Sequence, residues 1–169
     1  KELAPVIAEL AGGIGDRQVR NRGTIGGSVA NNDPAADYPA AVLGLDAKVI
    51  TDRRTIPSEE FFKAMFETTL EPDEVIRAIH FPRIARATYL KFPNPASRYA
   101  MVGVMIARMS TEVRIAITGA AASVFRAADF EMALSESFSE SAIAELTLSA
   151  ETMNDDLHAS AEYRAHLCK

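Results

Sequence analysis

Two adjacent glycines, Gly26 and Gly27, are the feature of this sequence that most directly suggests chemistry. Thr24 precedes them and Ser28 follows them, so the segment carries two hydroxyls and almost no side-chain bulk. Glycine tolerates positive φ angles, which turn successive backbone N–H groups toward one point. Two arginines lie just upstream and raise the local positive potential. This segment predicts a loop that binds an anion such as a phosphate, with an ordinary tight turn as the alternative.

An acid and two asparagines follow the glycine pair within a short stretch of sequence. Asp37 carries a carboxylate, which is a strong hydrogen-bond acceptor for hydroxyl groups such as those of a sugar. Asn31 is a weaker candidate for the same contact. The alternatives are an acid stabilised at the start of a helix for Asp37, and an ordinary loop asparagine for Asn31.

Other nucleotide-binding and catalytic motifs are excluded. No Gly-Lys-Ser/Thr follows the glycine pair, so the segment is not a P-loop. Gly12, Gly13 and Gly15 approach the dinucleotide-binding fingerprint, but Gln18 stands where its third glycine should be. The histidines lack metal-ligand spacing, and no nucleophile motif is present. We therefore assign no metal ligand and no catalytic residue.

Length and composition limit the class of protein. With 169 residues, 48% of them hydrophobic, the chain can bury a core as one domain or as two small ones. Its net charge of -5 argues against nucleic-acid binding. No segment approaches the roughly 18 apolar residues of a membrane span. A single cysteine, Cys168, can form no internal disulfide and hold no iron–sulfur cluster. We expect a soluble, cytoplasmic protein.

The first half of the chain must position the glycine pair. The elements expected there are a helix over 2–11, a helix from 33 to about 44, a strand over 46–51, a helix over 59–66 and a strand over 74–81. Gly12 and Gly13 are expected to end the first helix. Asp33 and Pro34 are typical of an N-cap and a first-turn proline, and Ser58 is typical of the N-cap of the third helix.

The second half begins after a linker at 82–87. Its expected elements are strands at 88–92, 99–109 and 112–118, followed by helices at 127–135, 141–148 and 161–169. The last strand alternates apolar and polar residues, which predicts a half-buried strand. Strands and helices in separate blocks favour an α+β fold over a parallel α/β sheet. We expect two small α+β domains, residues 1–84 and residues 85–169.

The glycine pair and the residues after it resemble the second flavin motif of the medium, FAD-binding subunit of molybdenum hydroxylases, the family of carbon monoxide dehydrogenase and xanthine dehydrogenase. The matching strings are GTIGGSVAN at 23–31 and DPAAD at 33–37, followed in the family's order by DEVI at 73–76, YLKF at 89–92, SRYA at 97–100, ITG at 117–119 and DLHASAEYR at 156–164. The resemblance implies the second subdomain of a molybdopterin-dehydrogenase FAD-binding domain. A flavoprotein C-terminal-like domain follows, with a three-stranded antiparallel sheet plus helices.

The resemblance also implies a role for each matching residue. Those implied to contact FAD are Gly23, Thr24, Ile25, Gly26, Gly27, Ser28, Asn31, Asp37, Val75, Ile76, Lys91 and Tyr99. The glycine-rich residues would hold the pyrophosphate, and Asp37 would bind sugar or ribityl hydroxyls. Lys91 would approach the flavin, where a cation stabilises the reduced ring, and Tyr99 would lie at its face. Val75 and Ile76 would pack against a ring edge. Core packing, or a surface position for Lys91, is an equally open interpretation of these last four.

The function implied by the resemblance is electron transfer. Electrons from a molybdenum-cofactor large subunit would pass through the [2Fe–2S] clusters of a small subunit to FAD, and then to an external acceptor. No stand-alone activity is expected. The family's first glycine-rich motif would precede Lys1, so we expect weak or no FAD binding by this chain alone, and possible self-association through exposed apolar surface. The alternative is a truncated, non-catalytic relative that acts only as a subunit-interaction module.

Overall fold

The region of the glycine pair consists of four short helices, one of which contains the pair. In this computed structural model, which describes residues 5–84 and 86–169, they are α1 (Pro5–Gly13), α2 (Arg17–Arg22), α3 (Ile25–Asn31) and α4 (Tyr38–Gly44). The helix predicted over 2–11 is confirmed from Pro5 onward, although Gly12 and Gly13 lie inside its last turn. The sequence did not predict α2. Together these helices supply most of the surface around the glycine pair.

The glycine pair forms the first turn of α3 and not a loop. Thr24 is the N-cap residue, with extended backbone angles. Among the glycines that the structure describes, only Gly119 has a positive φ. The expected positive φ at Gly26 and Gly27 is therefore wrong, because their amides are oriented by helical geometry.

The helix predicted from Asp33 begins later, at Tyr38. Asp33 instead accepts a hydrogen bond from the backbone N–H of Ala35 at 2.9 Å, which closes a turn. Asp37 occupies the N-cap position of α4, but its side chain makes no capping hydrogen bond. The predicted end of this helix near Gly44 is confirmed.

A small antiparallel sheet in the order β2-β1-β5 follows α4. The bounds of this region are β1 (Lys48–Thr51), β2 (Thr55–Pro57), α5 (Ser58–Phe61), β3 (Phe62–Ala64), β4 (Glu67–Thr68) and β5 (Ile76–His80). The two predicted strands are confirmed. The helix predicted over 59–66 is wrong beyond Phe61, because the next residues pair with β4 in a hairpin. Ser58 is not its cap, since its hydroxyl is buried without a hydrogen-bond partner in the described part of the chain.

The second half is built on a larger antiparallel sheet in the order β6-β7-β8-β9. The bounds are β6 (Arg86–Pro93), β7 (Ala100–Arg108), β8 (Val113–Thr118), β9 (Phe125–Arg126), α6 (Ala128–Glu136), two 3-10 helices (Glu140–Ile143 and Ala150–Thr152) and α7 (Ala161–Cys168). The α+β class and the three long strands are confirmed, and β9 adds a short fourth strand. The helix predicted over 141–148 is reduced to a 3-10 turn. No helix within residues 5–84 or 86–169 is long and apolar enough to cross a membrane.

Strand β8 is buried on both faces, so the prediction of a half-buried strand is wrong. All six of its residues are buried, because α4 packs on one face and α6 on the other. Arg114 is only 4% exposed. Its guanidinium donates to the Leu43 carbonyl oxygen at 3.2 Å and to Glu59 Oε1 at 3.0 Å. An arginine can occupy this position because its charge is paired with Glu59, although its Nε has no hydrogen-bond partner among the described residues.

Helix α4 connects the glycine-rich half to the larger sheet. All residues from Pro39 to Gly44 are buried. A Cβ at Gly44 would lie 2.8 Å from Met105 Cγ and 3.1 Å from Ala116 Cβ, so the close approach requires glycine. Helices α1 and α4 share one apolar cluster with β7 and β8. The position of α1 and α4 is therefore set by the larger sheet.

Candidate functional site

A cavity of about 1000 Å³ lies beside the glycine pair. Its walls are the end of α1, the helix α2, the first turn of α3 and the segment that leads into α4. Ser97 and Tyr99, from the connection between β6 and β7, line it as well. This volume is at the upper end of the range for small-molecule sites, about 300–1,000 Å³.

The cavity brings together most, but not all, of the residues proposed from the sequence. Those that line it are Gly23, Thr24, Gly27, Ser28, Asn31, Asp37 and Tyr99. Those that do not line it are Ile25, Gly26, Val75, Ile76 and Lys91. The first group comes from three separate segments of the chain, so its convergence is a property of the fold.

The first turn of α3 places two hydroxyls, those of Thr24 and Ser28, at the cavity, and Gly27 lies between them. Thr24 Oγ1 accepts the Gly27 N–H at 3.0 Å, and the Thr24 carbonyl oxygen accepts the Ser28 N–H at 3.0 Å. The N–H groups of Ile25 and Gly26 have no acceptor among the residues that the structure describes. Unpaired amides of this kind are donors for an anion.

Packing within the chain does not require glycine at position 26, whereas position 27 is tighter. A Cβ at Gly26 would lie 4.0 Å from Ile76, an ordinary contact, and a Cβ at Gly27 would meet only Thr24 Oγ1, at 3.0 Å. Glycine within a helix costs about 0.5–1 kcal/mol relative to alanine. Of the two, only Gly27 lies at the cavity, where the missing side chain leaves the backbone accessible.

Asp37 lies at the cavity with both carboxylate oxygens engaged. The Tyr89 hydroxyl donates to Oδ1 at 2.6 Å. Lys91 Nζ lies 3.1 Å from Oδ1 and 3.3 Å from Oδ2, and also donates to the Gly13 carbonyl oxygen at 2.7 Å. The Asp37 and Lys91 side chains are only 5% and 12% exposed. We call these three side chains the Asp37 cluster: Asp37, Tyr89 and Lys91.

The protonation states in the Asp37 cluster follow from burial and charge. Burial raises the pKa of the Asp37 carboxyl, and the hydrogen bond from Tyr89 and the charge of Lys91 oppose that rise. Burial, followed by the charge of Asp37, raises the pKa of the Tyr89 hydroxyl. Tyr89 therefore stays protonated and acts as the donor.

Tyr99 is held at the cavity by the connection between β6 and β7. Its hydroxyl accepts a hydrogen bond from Asn94 Nδ2 at 3.1 Å. Asn94 is buried, and its Oδ1 accepts the backbone N–H of Ala96 at 2.9 Å. The other side of the Tyr99 ring contacts His158 edge-on, with 6.1 Å between ring centroids. The ring is thus fixed in a position from which it can contact a bound molecule.

Val75 and Ile76 lie at the other side of α3. Val75 is 61% exposed and is outside the cavity. Ile76 is half-buried and packs against Gly26. In this arrangement, Ile76 packs against Gly26, and neither Val75 nor Ile76 lines the cavity.

Sequence reasoning missed the helix α2 and the partner of Asp37. Asp16 caps α2 by accepting the N–H groups of Gln18 at 2.6 Å and Val19 at 3.2 Å. An acid ahead of a polar run is an N-cap signal that was available. Tyr89 is two residues before Lys91 and so lies on the same face of a strand, which was the only local sign of their shared role.

The sequence and the fold are similar to those of several known proteins. A family model described as the FAD-binding domain in molybdopterin dehydrogenase matches residues 1–84. The carbon monoxide dehydrogenase medium chain of Hydrogenophaga pseudoflava is 37% identical over 134 residues, which are 72% of this chain and 47% of that protein. The nicotine 6-hydroxylase medium subunit of Paenarthrobacter nicotinovorans is 33% identical over 174 residues, which are 95% of this chain and 62% of that subunit.

A solved structure shows the same fold. The carbon monoxide dehydrogenase from Hydrogenophaga pseudoflava that lacks the Mo-pyranopterin moiety superposes with a TM-score of 0.83 at 33% sequence identity. The match covers 97% of this chain and 63% of that chain. The present chain thus spans about half to two thirds of the length of these relatives. Through residues 1–84, the chain belongs to the family of FAD-binding domains in molybdopterin dehydrogenases.

Proposed function

We propose that this chain binds FAD in the cavity beside α3 and serves as the FAD-carrying electron-transfer component of a molybdenum hydroxylase. The observation that carries the proposal is the glycine pair in the first turn of α3. Gly27 lines a cavity of about 1000 Å³, and packing within the chain does not require glycine at position 26. The family match over residues 1–84 supports the choice of FAD.

The residues at the cavity fit a dinucleotide. The hydroxyls of Thr24 and Ser28, which both line the cavity, offer donors to the pyrophosphate. The absence of a side chain at Gly27 lets the ligand approach the backbone. Tyr99 provides an aromatic face for a planar ring.

Electron transfer is the role that these features would serve. When bound, FAD can accept electrons one at a time and pass them to an external acceptor. The described residues bind and orient the cofactor, and no side chain of the chain is needed as a general acid or base. Two of the relatives are named as a medium chain or a medium subunit, which supports a large molybdenum-cofactor subunit and a small [2Fe–2S] subunit as partners.

The proposal includes weak FAD binding by the chain alone. The described residues offer few donors to the pyrophosphate, and the carboxylate of Asp37 is already paired with Tyr89 and Lys91. Hydrogen bonds to charged groups contribute about 1.5–3 kcal/mol each, so a few of them hold a ligand only weakly. We expect a Kd above about 1 μM, which corresponds to less than about 8 kcal/mol.

A titration followed by NMR tests the proposal, because chemical shifts report weak binding. FAD is added to the 15N-labelled chain, to Gly27→Asp and to the control Gly13→Ala. A Cβ at Gly13 would meet no atom within 4 Å, and Gly13 does not line the cavity. We expect saturable shifts at Thr24, Gly27 and Ser28 in the wild type and in Gly13→Ala.

The Gly27→Asp variant should lose these shifts, because its side chain places bulk and negative charge in front of the amides. Equal, negligible shifts in all three proteins would overturn FAD binding by this chain and favour a subunit-interaction module. Shifts that persist in Gly27→Asp would place the ligand elsewhere.

The same proposal covers domain organisation and location. We propose residues 1–84 and 85–169 as two domains, supported by the extent of the family match and by the start of β6 at Arg86. A cytoplasmic location is supported by the single cysteine, which forms no internal disulfide.

A further inference from the structure

A second cavity, of about 450 Å³, lies at the opposite end of α1 from the cavity beside α3. Its walls come from the first turn of α1, from residues in 81–88, and from the adjoining ends of β6 and β7. No residue of the described chain lines both cavities. The volume lies within the range for small-molecule sites, about 300–1,000 Å³, so this cavity is large enough for a ligand of its own.

Most of the lining of this second cavity is apolar. Val6 and Leu45 belong to the buried cluster that α1 and α4 share with the larger sheet, and Ile84 packs against that cluster. Ile106 and Phe138 line it from the sheet and from the segment after α6, and Phe138 is 54% exposed. Apolar surface of a ligand that enters this cavity would leave water, which is favourable.

Two arginines line the same cavity, and we call them the arginine pair: Arg86 and Arg108. Arg86 on β6 lies directly opposite Arg108 on β7, so both side chains project from one face of the sheet. Neither guanidinium has an acidic partner within residues 5–84 and 86–169. Like charges directly opposite each other on neighbouring strands are destabilising. The arginine pair is therefore a local excess of positive charge that an anion would relieve.

The other cations of the larger sheet are each paired with an acid. Lys91 lies 3.1 Å from an aspartate oxygen, Arg114 lies 3.0 Å from a glutamate oxygen, and Arg126 lies 2.6 Å from another. Glu112, in the turn that follows β7, is 3.4 Å from Arg114 and is not within ion-pair distance of the arginine pair. The lack of an acidic partner is thus specific to the two arginines at the second cavity.

Phe138 orients one member of the arginine pair. The guanidinium carbon of Arg108 lies over the Phe138 ring, 5.5 Å from its centroid. A cation–π contact of this kind uses the face of the guanidinium, whereas its N–H donors lie in the guanidinium plane. Arg108 is therefore held at the wall of the cavity with its donors available. A carboxylate has the planar, two-oxygen geometry that such a fork of donors binds.

We propose that the second cavity binds a small amphipathic carboxylate, an organic acid whose apolar body lies against the wall formed by α1 and whose carboxylate is bound by the arginine pair. A neutral apolar molecule would leave the arginine pair without a counter-charge, and a short acid would leave the apolar lining in water. An acid with an apolar body satisfies both features. This site is separate from the proposed FAD site, and the inference does not depend on the proposed function.

Octanoate is the test ligand, with octan-1-ol and acetate as comparisons. Each is titrated into the 15N-labelled chain, and the amide shifts of Val6, Ile7, Thr88 and Ile106 report occupancy of the cavity. Octan-1-ol keeps the apolar body without the charge, and acetate keeps the charge without the apolar body. We expect saturable shifts with octanoate, and binding weaker by about tenfold or more for both comparisons.

Arg86→Gln combined with Arg108→Gln tests the arginine pair. The matched control is Arg77→Gln, at an exposed arginine on β5 that does not line the cavity. We expect octanoate binding to weaken about tenfold or more in the double variant and to stay unchanged in the control. The double variant should remain folded, because it removes a like-charge repulsion, and its amide spectrum without ligand checks this.

Thr88→Phe tests the apolar part of the site with the arginine pair intact. Thr88 is an exposed strand residue that lines the cavity, so a larger side chain can be accommodated by the fold while it occupies ligand space. We expect this variant to weaken octanoate binding as well.

Three results would overturn the proposal: no saturable shifts with octanoate in the wild type, equal affinity for octanoate and octan-1-ol, or equal octanoate affinity in the wild type and the double arginine variant. Added FAD should leave the octanoate affinity unchanged, because the two cavities share no described residue. Displacement of octanoate by FAD would assign both ligands to one site and would also contradict the proposal.

Discussion

The Tyr89 hydroxyl approaches Gly103 so closely that a Cβ at position 103 would lie 2.2 Å from its oxygen, which is a steric clash. The two residues are diagonal neighbours on adjacent strands, since Tyr89 pairs with Met105 and Lys91 pairs with Gly103. The missing side chain on β7 therefore allows the tyrosine to cross the sheet surface and reach Asp37. A residue that does not line the cavity thus decides whether the Asp37 cluster can form.

Gly103→Ala should destabilise the chain by about 1–3 kcal/mol, as is typical of overpacking. The added methyl would displace the Tyr89 hydroxyl and lengthen its hydrogen bond to Asp37. Urea unfolding measures the change. The double variant Gly103→Ala with Tyr89→Phe should lose less free energy of unfolding than the sum of the two single variants, because the phenylalanine has no hydroxyl to displace. Strict additivity would show that the two positions do not compete for this space.

Gly26→Ala should stabilise the ligand-free chain by about 0.5–1 kcal/mol. The glycine has helical backbone angles, and the new methyl would make only an ordinary 4.0 Å contact with Ile76. The free energy of unfolding of the variant is compared with that of Gly13→Ala, a second helical glycine with open space around it. A marked loss of stability would mean that folding, and not ligand binding, requires glycine at this position.

Glu74 should make the chain sensitive to acid. Two hydrogen bonds from Arg54, at 2.8 Å and 2.9 Å, with others from the Glu71 amide and the Thr51 hydroxyl, lower the pKa of the Glu74 carboxyl from 4.5 to about 2. Its stabilising effect is therefore complete above the unfolded-state pKa and is lost as the pH falls from 4.5 to about 2.

Glu74→Gln should accordingly lose less stability than the wild type over that acidic range. Arg54→Met should behave similarly, because it removes the main cause of the lowered pKa. Urea unfolding at a series of pH values gives the slopes. Equal slopes for the wild type and Glu74→Gln would show that this carboxylate does not govern the acid response.

Arg164→Met should destabilise the chain by about 2–4 kcal/mol, because it leaves buried carbonyl groups without a donor. The guanidinium is 2% exposed and donates to the carbonyl oxygens of Met101 at 2.8 Å and Gly119 at 2.9 Å. Amide exchange in α7 should rise together with the loss of stability. Arg83→Met, at an exposed arginine, is the matched control, and a similar effect of both substitutions would refute the anchoring role.

Local patterns predicted the elements whose formation depends on nearby residues. Apolar spacing identified α1, and the three long strands of the larger sheet followed from their apolar runs. Helix α3 was missed, because two glycines lower helix propensity and the N-cap at Thr24 is the only local sign in its favour. Helix α3 forms despite its low helix propensity, because packing against Ile76 and α4 stabilises it.

The contacts within the candidate site depend on distant segments. The sequence singled out Asp37 and Lys91, but it assigned both to a ligand, whereas the structure pairs them with each other. Their separation of 54 positions means that only the register of β6 against β7 and the placement of α4 bring them together. The burial of Arg114 has the same origin, because a strand's alternation cannot show that helices will cover both faces.

The tight contact between Gly44 and Ala116 makes the placement of α4 depend on the size of a residue on β8. Ala116 lies on β8 and does not line the cavity, yet its size sets how closely α4 approaches the sheet, and α4 carries Asp37 at its start. A larger residue at position 116 would push the end of α4 at Gly44 away from the sheet. A change in size at position 116 should therefore be tolerated only with a compensating change in α4.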